Sequence, residues 1–498
     1  MKYTSTRNSD IKINSAQAIK NGISPDGGLY VPCEIPHINN EFILSLANMN
    51  YQDRAVKVLG LFLTDYTDDE LKECSYGAYT DEKFSDTHIA PLKKLNDNKY
   101  VLELWHGPTC AFKDMALQIL PHLLTKAIKK TGEDRTVVIL VATSGDTGKA
   151  ALEGFKNVNG TKIKVFYPVH GVSKIQKLQM VTQLGDNVSV AAVDGNFDDA
   201  QTGVKKIFTD NEYKAALADR GYTLSSANSI NWGRLVPQIV YYFSAYADMV
   251  KSGDIKCGEK INITVPTGNF GNILAAYYAK EMGLPVNKLI CASNKNNVLT
   301  DFIKTGTYDR NRNFYTTESP SMDILISSNL ERLLYHISGQ NSNLVTEYMN
   351  SLSNTGKYTV NDDIKKKINE LFGAGFCDDA QTDGAIAETY KNYNYTIDTH
   401  TAVAFKVYAD YENKSGDKLK TVIASTANPY KFNASVINAI EGKNASDGKD
   451  EFELLEHLNK ISGMDIPKSL KDLKTMQVRF SEVCSKDDMK NSTDMFLQ

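Results

Sequence analysis

The chain has no apolar run approaching the ~20 residues that a membrane-spanning helix needs. It has little net charge: 56 Lys and Arg stand against 60 Asp and Glu, a formal −4 over 498 residues. That balance leaves no electrostatic footprint for nucleic acid. Cysteine is sparse and scattered, at Cys33, Cys74, Cys110, Cys257, Cys291, Cys377 and Cys484. An odd number with no CxxC pair argues against a disulfide framework or a structural zinc, and for reduced thiols in the cytoplasm. The eight histidines form no HExxH motif, so no metal site is expected. The opening "MKYTSTRNSDIKINS" lacks the apolar core of a signal peptide. Internal repeats and low-complexity segments are absent. No nucleic-acid partner, membrane or metal is therefore expected.

What is present is ordinary globular composition, 42% hydrophobic and 23% charged, enough for two to four packed units. The middle of the chain alternates short apolar runs with helical stretches. "TVVILVAT" (136–143), "KIKVFYPV" (162–169), "NVSVAAVDG" (187–195), "INITVPTG" (261–268), "KLICASN" (288–294) and "KTVIASTA" (420–427) read as strands covered on both faces. Strand–helix alternation implies an α/β fold with parallel sheets, in which ligands gather at strand C-termini. The pattern divides the chain into an N-terminal subdomain (1–95), a smaller α/β domain (96–225), a larger α/β domain with a mostly helical insertion (226–445) and a charged helical tail (446–498).

The loops that end these strands carry the candidate chemistry. In "GPTCAFKDMAL" (107–117), Lys113 follows Phe112 and precedes Met115 at the start of a helix. It is either a snorkelling surface lysine or a partly buried amine with a lowered pKa, able to attack an aldehyde. "TGNFGN" (267–272) joins a strand to a helix. Gly268 and Gly271 let the backbone approach a ligand there, and the helix start offers N–H groups to an anion. The loop is neither a P-loop nor a GxGxxG fingerprint. "TSGDTG" (143–148) opens another helix, where Ser144 or Asp146 either caps the helix or helps it grip a carboxylate. Ser425 and Thr426 end a third strand. "NSINWGR" (228–234) places Arg234, the side chain best shaped for bidentate phosphate binding, near a helix start. His400 in "DTHTAVAF" reads as a capping or packing residue. A lysine, an anion loop and a second helix start are the set that pyridoxal phosphate and an amino-acid substrate require.

With these stretches in view, "SPDGGLYVP", "HGPTCAFKDMAL", "ATSGDTG", "NSINWGR", "PTGNFGN", "DTHTAVAF" and "STANPYKF", the chain resembles the threonine synthases. These are fold-type II pyridoxal-phosphate enzymes, and the likeness is to the enterobacterial and fungal branch. The motifs span about residues 1–440, in family order. The resemblance implies the tryptophan-synthase-β-like architecture: two parallel or mixed-sheet α/β domains with an N-terminal subdomain. It implies that Lys113 carries pyridoxal 5′-phosphate, that Gly268, Asn269, Phe270, Gly271 and Asn272 wrap its phosphate, and that Thr426 faces its ring nitrogen. Thr143, Ser144, Gly145, Asp146 and Thr147 would hold the substrate carboxylate. Asn228, Asn231 and Arg234 would hold the substrate phosphate. The implied reaction turns O-phospho-L-homoserine and water into L-threonine and phosphate, in a cytoplasmic monomer or homodimer. A serine/threonine dehydratase or phospholyase, and a non-catalytic phosphoester-binding relative, are the alternatives. One departure is Asn428, where the family pattern leads one to expect His.

Overall fold

The computed structural model describes every residue except Ser144 and Gly171, together with the side chains of all but Phe197 and Asp198 among the rest. Two sheets organise it. The larger has six strands in the order Phe372–Phe376, Val286–Ser293, Ile261–Pro266, Thr421–Ser425, Lys99–Glu103 and Leu92–Lys94. All neighbours in it run parallel except the last pair. The smaller is wholly parallel, in the order Glu482–Ser485, Val188–Asp194, Thr161–Pro168, Thr136–Ala142 and Tyr222–Ser225. The apolar runs form central strands because both faces are covered: Val137 to Ala142 are all buried, as are Ile261 to Pro266. This is the doubly covered α/β arrangement that the alternation implied.

Sheet membership departs from the linear partition in two places. Lys99–Glu103, expected in the smaller unit, pairs with Thr421–Ser425 in the larger sheet, Ser425 opposite Glu103. Glu482–Ser485, expected in a helical tail, extends the smaller sheet beside Val188–Asp194. Local patterning identifies a strand, but the neighbour it joins is set by crossovers between distant segments.

That order places the candidate loops. Ile261–Pro266, Thr421–Ser425 and Lys99–Glu103 are adjacent parallel strands, so the glycine loop, Thr426 and the Lys113 loop leave one sheet edge side by side. The loop after Thr136–Ala142 comes from the smaller sheet. The helix Trp232–Lys251 opens on a fully buried Trp232, whose ring packs edge-on against Tyr3 and Tyr278 and tilted against Phe62, at centroid distances of 5.4 to 5.7 Å. Truncating so buried an aromatic costs about 3–5 kcal/mol. The cluster therefore fixes the helix start, and with it Arg234.

Candidate active site

Lys113 is delivered by a loop stitched to the end of the Thr421–Ser425 strand. The N–H of Phe112 donates to the carbonyl of Thr426 at 2.8 Å, and that of Asn428 to the carbonyl of Cys110 at 3.0 Å. Ala111 and Ala427 form the antiparallel bridge between them. Asp114 folds the loop from the other side. Its carboxylate accepts from the Thr109 N–H at 2.8 Å and the Thr109 hydroxyl at 2.7 Å. Burial pushes the Asp114 carboxyl up to about 6, against the pull of those two hydrogen bonds.

The Lys113 side chain is 11% exposed, and its Nζ lies 3.4 Å from Asp146 Oδ2 and 3.3 Å from Ser321 Oγ. The Phe112 ring centroid is 5.2 Å away. Burial lowers the proton affinity of the amine. Asp146 opposes that shift, and the positive charges of Lys431 and Arg234 add to it, so the net shift is downward. The geometry thus favours the partly buried amine over the snorkelling lysine.

Asp146 begins the helix Asp146–Phe155 and is buried. Its Oδ1 pairs with Lys431 Nζ at 2.5 Å and accepts from Gln176 Nε2 at 3.0 Å. Its Oδ2 faces Lys113 and the Ser321 hydroxyl, the latter at 3.4 Å. Burial alone would raise this carboxyl, but Lys431 and Lys113 outweigh it and hold it far below the usual carboxylate range. A side chain kept negative cannot itself grip a carboxylate, so its expected role changes. What remains for an anion is the backbone of the helix start. Gly145, at φ 142°, turns the chain there, and an added Cβ would lie 2.5 Å from Gln176 Cδ. The Thr143 hydroxyl oxygen accepts from the N–H groups of Gly145 and Gly148, both at 2.9 Å, and so shapes the turn. Thr147 is half-buried beside it. Ser144 lies outside the described residues.

Three contributors were not expected from sequence. Ser321, in the 3₁₀ turn Pro320–Met322, reaches Lys113 across 208 residues of chain. Its N–H donates to His400 Nε2 at 3.1 Å, while His400 Nδ1 lies 2.8 Å from Asp398 Oδ2. The Ser321 N–H leaves Nε2 as an acceptor, so the ring proton sits on Nδ1 and faces the carboxylate. His400 thus supports the site rather than merely capping a helix; Asp398 is the cap of Thr399–Ser415. The third is Lys431, wholly buried two residues past Pro429. A serine or lysine this far from its partner in sequence carries no local signal, whereas the sequence around His400 suggests only a capping or packing residue.

The glycine loop turns through Phe270 at φ 63° into the helix Gly271–Glu281, whose first N–H groups lack intrahelical acceptors. Gly268 permits a close approach: a Cβ there would lie 2.7 Å from the Ser321 carbonyl oxygen. The Asn269 carbonyl accepts from the N–H and Nδ2 of Asn329, at 3.1 and 3.0 Å. Asn272 Oδ1 accepts from the hydroxyls of Tyr241 and Tyr242, at 2.7 and 2.5 Å, and its buried Nδ2 has no partner among the described residues.

Arg234 is buried and meets no carboxylate among the described residues. Its Nη1 donates to the Ala227 carbonyl at 2.8 Å, and its Nε is a donor with no partner among the described residues. Burial pulls the guanidinium down to about 10. A buried cation without a counter-charge is costly, and its usual resolution is an anionic ligand. Asn231, by contrast, is used up. Its Nδ2 donates to Ile19 and Ser226 carbonyls, and its Oδ1 accepts from the Gly233 N–H to cap the helix. Asn231 therefore orients the Arg234 turn instead of meeting a ligand directly. Asn228 is half-buried in the same turn, where its carbonyl accepts from the Asn231 N–H. Thr426 is buried.

An amine of lowered basicity, a glycine loop at a helix start, a second helix start and orphaned donors at Arg234 and Asn272 fit a phosphorylated aldehyde cofactor and an anionic substrate. Residues 84–426 match the family of pyridoxal-phosphate-dependent enzymes, residues 2–79 the threonine synthase N terminus, and residues 401–491 the threonine synthase C-terminal region. Threonine synthase of Pseudomonas aeruginosa is 40% identical over 443 residues, covering 88% of this chain and 90% of that one. The chain belongs to the threonine synthase family.

Within that family, human threonine synthase-like 1 is 42% identical over 87% of this chain, although the chain spans only 58% of that relative's length. The crystal structure of pyridoxal-phosphate-bound threonine synthase from Brucella melitensis superposes with a TM-score of 0.88 at 34% identity, covering the whole of both chains. The threonine synthase family thus supplies the fold-type II architecture expected above, and pyridoxal phosphate is its cofactor.

Proposed function

We propose that this chain converts O-phospho-L-homoserine and water to L-threonine and phosphate. The observation that carries the reading is Arg234: a buried guanidinium with an orphaned Nε, in the site of an amine-bearing lysine, calls for a phosphorylated substrate. Lys113 would hold pyridoxal phosphate through its side-chain nitrogen. The Gly268–Asn272 loop and its helix start would bind the cofactor phosphate, and Thr426 would hold the ring nitrogen. When bound, the cofactor supplies an aldehyde for amines and a sink for electrons at the substrate carbons.

The chain's own residues do the rest. The N–H groups at the start of Asp146–Phe155 hold the substrate carboxylate. Lys113 Nζ, once displaced by the substrate amine, would be an uncharged amine placed to take the proton from the substrate α-carbon. Arg234 holds the substrate phosphate, and its attraction strengthens as negative charge grows on the departing oxygen. Asp146 stays ionised beside Lys113 throughout. The free thiols support a cytoplasmic enzyme.

The test is incubation of the purified protein, loaded with pyridoxal phosphate, with O-phospho-L-homoserine. Threonine and phosphate should appear in equal amounts. Phosphate with 2-oxobutanoate in place of threonine would make the protein a lyase of another kind.

A further inference from the structure

We propose that Lys431 is a positioning residue: it anchors the Asp146 carboxylate by one oxygen so that the other is presented to the Lys113 amine as a fixed counter-charge. The proposal rests on the reading of Lys113 as the cofactor-bearing lysine. Lys431 itself is held rigidly. It lies in the turn Pro429–Phe432, whose start is capped by Asn428 Oδ1 accepting the Tyr430 N–H at 3.0 Å. Its Nζ has no exposure and donates to the Thr109 carbonyl at 3.0 Å. Thr109 is in turn fixed by Asp114. Lys431 and Gln176 both occupy Oδ1 of Asp146, which leaves Oδ2 for Lys113 and Ser321.

The distances rank the two lysines. Lys431 sits 2.5 Å from the carboxylate and Lys113 3.4 Å. When Lys113 gives up its proton, Asp146 keeps a close partner and is not left as an unpaired buried charge, which would resist that loss. The groups that face the Lys113 amine are the Asp146 carboxylate, the cations of Lys431 and Arg234, the Phe112 ring and the Ser321 hydroxyl. His400 reaches it only through Ser321. Asp146 alone favours the ammonium form; Lys431 opposes it twice, by direct repulsion and by sharing the carboxylate.

The test measures how fast the full-length protein, stripped of cofactor, takes up pyridoxal phosphate across pH, followed by visible absorbance. Uptake needs the neutral amine, so its rate rises through the midpoint at which Lys113 loses its proton. Asp146→Asn should move that midpoint to lower pH and Lys431→Met to higher pH, each by about one pH unit or more. Lys431→Arg should restore the parent midpoint. Should Lys431→Met fail to fold by circular dichroism, the pair Asp146→Asn with Lys431→Met removes both charges of that ion pair together, and its midpoint should exceed that of Asp146→Asn alone. Midpoints that stay put, or singles that move in the same direction, overturn the proposal. A parent protein that takes up no cofactor overturns both the proposal and the reading of Lys113.

Discussion

The N–H of Phe112 donates to the carbonyl of Thr426 at 2.8 Å, one residue before Lys113. This bond ties the lysine loop to the end of the neighbouring strand and holds the backbones of the lysine loop and Thr426 side by side. Removing the amine should leave the stitching intact, since Lys113 contributes no backbone link that alanine could not make. Lys113→Ala is expected to unfold at close to the parent temperature, to show no visible absorbance on addition of pyridoxal phosphate, and to form no threonine. Parent-like turnover in this variant would remove Lys113 from the chemistry.

Arg234→Ala should fold, because the variant loses one hydrogen bond to Ala227 together with an uncompensated buried cation. Without the guanidinium, kcat/KM for O-phospho-L-homoserine should fall by about 10–150-fold, equivalent to ~1.5–3 kcal/mol of transition-state binding. Pyridoxal-phosphate affinity, measured by absorbance titration, should hold. Loss of cofactor with substrate affinity retained would assign Arg234 to the other phosphate.

Gly268→Ala would set a Cβ 2.7 Å from the Ser321 carbonyl. The Ser321 segment cannot retreat freely, because its N–H is held by His400. Overpacking of this kind costs about 1–3 kcal/mol. The expected result is a lower Tm together with weaker cofactor binding, read by thermal unfolding and absorbance titration. Parent values for both would show that the Ser321 turn moves at little cost.

Asp114 gives a pH signature. Its carboxyl stands near 6 in the folded protein, above the unfolded value near 3.9, so the folded state binds the proton more tightly. Its contribution to stability is full below about pH 4 and is lost as pH rises through about 6, some 2–3 kcal/mol in all, by the order of magnitude of a two-unit shift. Asp114→Asn cannot titrate and can still accept the Thr109 N–H. The stability difference between parent and variant, from denaturant midpoints, should therefore shift against the parent between pH 4 and 6 and level off above. A flat difference would mean that Asp114 is ionised at its ordinary pH in the fold.

The strands were legible because continuous apolar runs have few other uses in a chain of this composition, and Val137–Ala142 and Ile261–Pro266 are buried as that reasoning requires. The glycine loop was legible because Gly268 stands where backbone crowding excludes a side chain. Asn228, Asn231 and Arg234 were legible only as a group. Spacing cannot say that the Asn231 amide is spent on Ile19, Ser226 and Gly233 while the Arg234 Nε is left without a partner among the described residues. Asn428, unexpected against the family pattern, has a plain structural duty in capping the Lys431 turn.

By itself the sequence determined what a few residues on either side can decide: which segments are strands, where glycines punctuate them, and which lysine and arginine stand at helix starts. Backbone propensity and hydrophobic period act over such short windows. Only the tertiary structure decided what faces the Lys113 amine. Asp146 comes from the smaller sheet, Ser321 from the insertion, and Lys431 from beyond the Thr421–Ser425 strand. The charge balance at Lys113 follows from that convergence, because electrostatic coupling depends on separation in space and on burial.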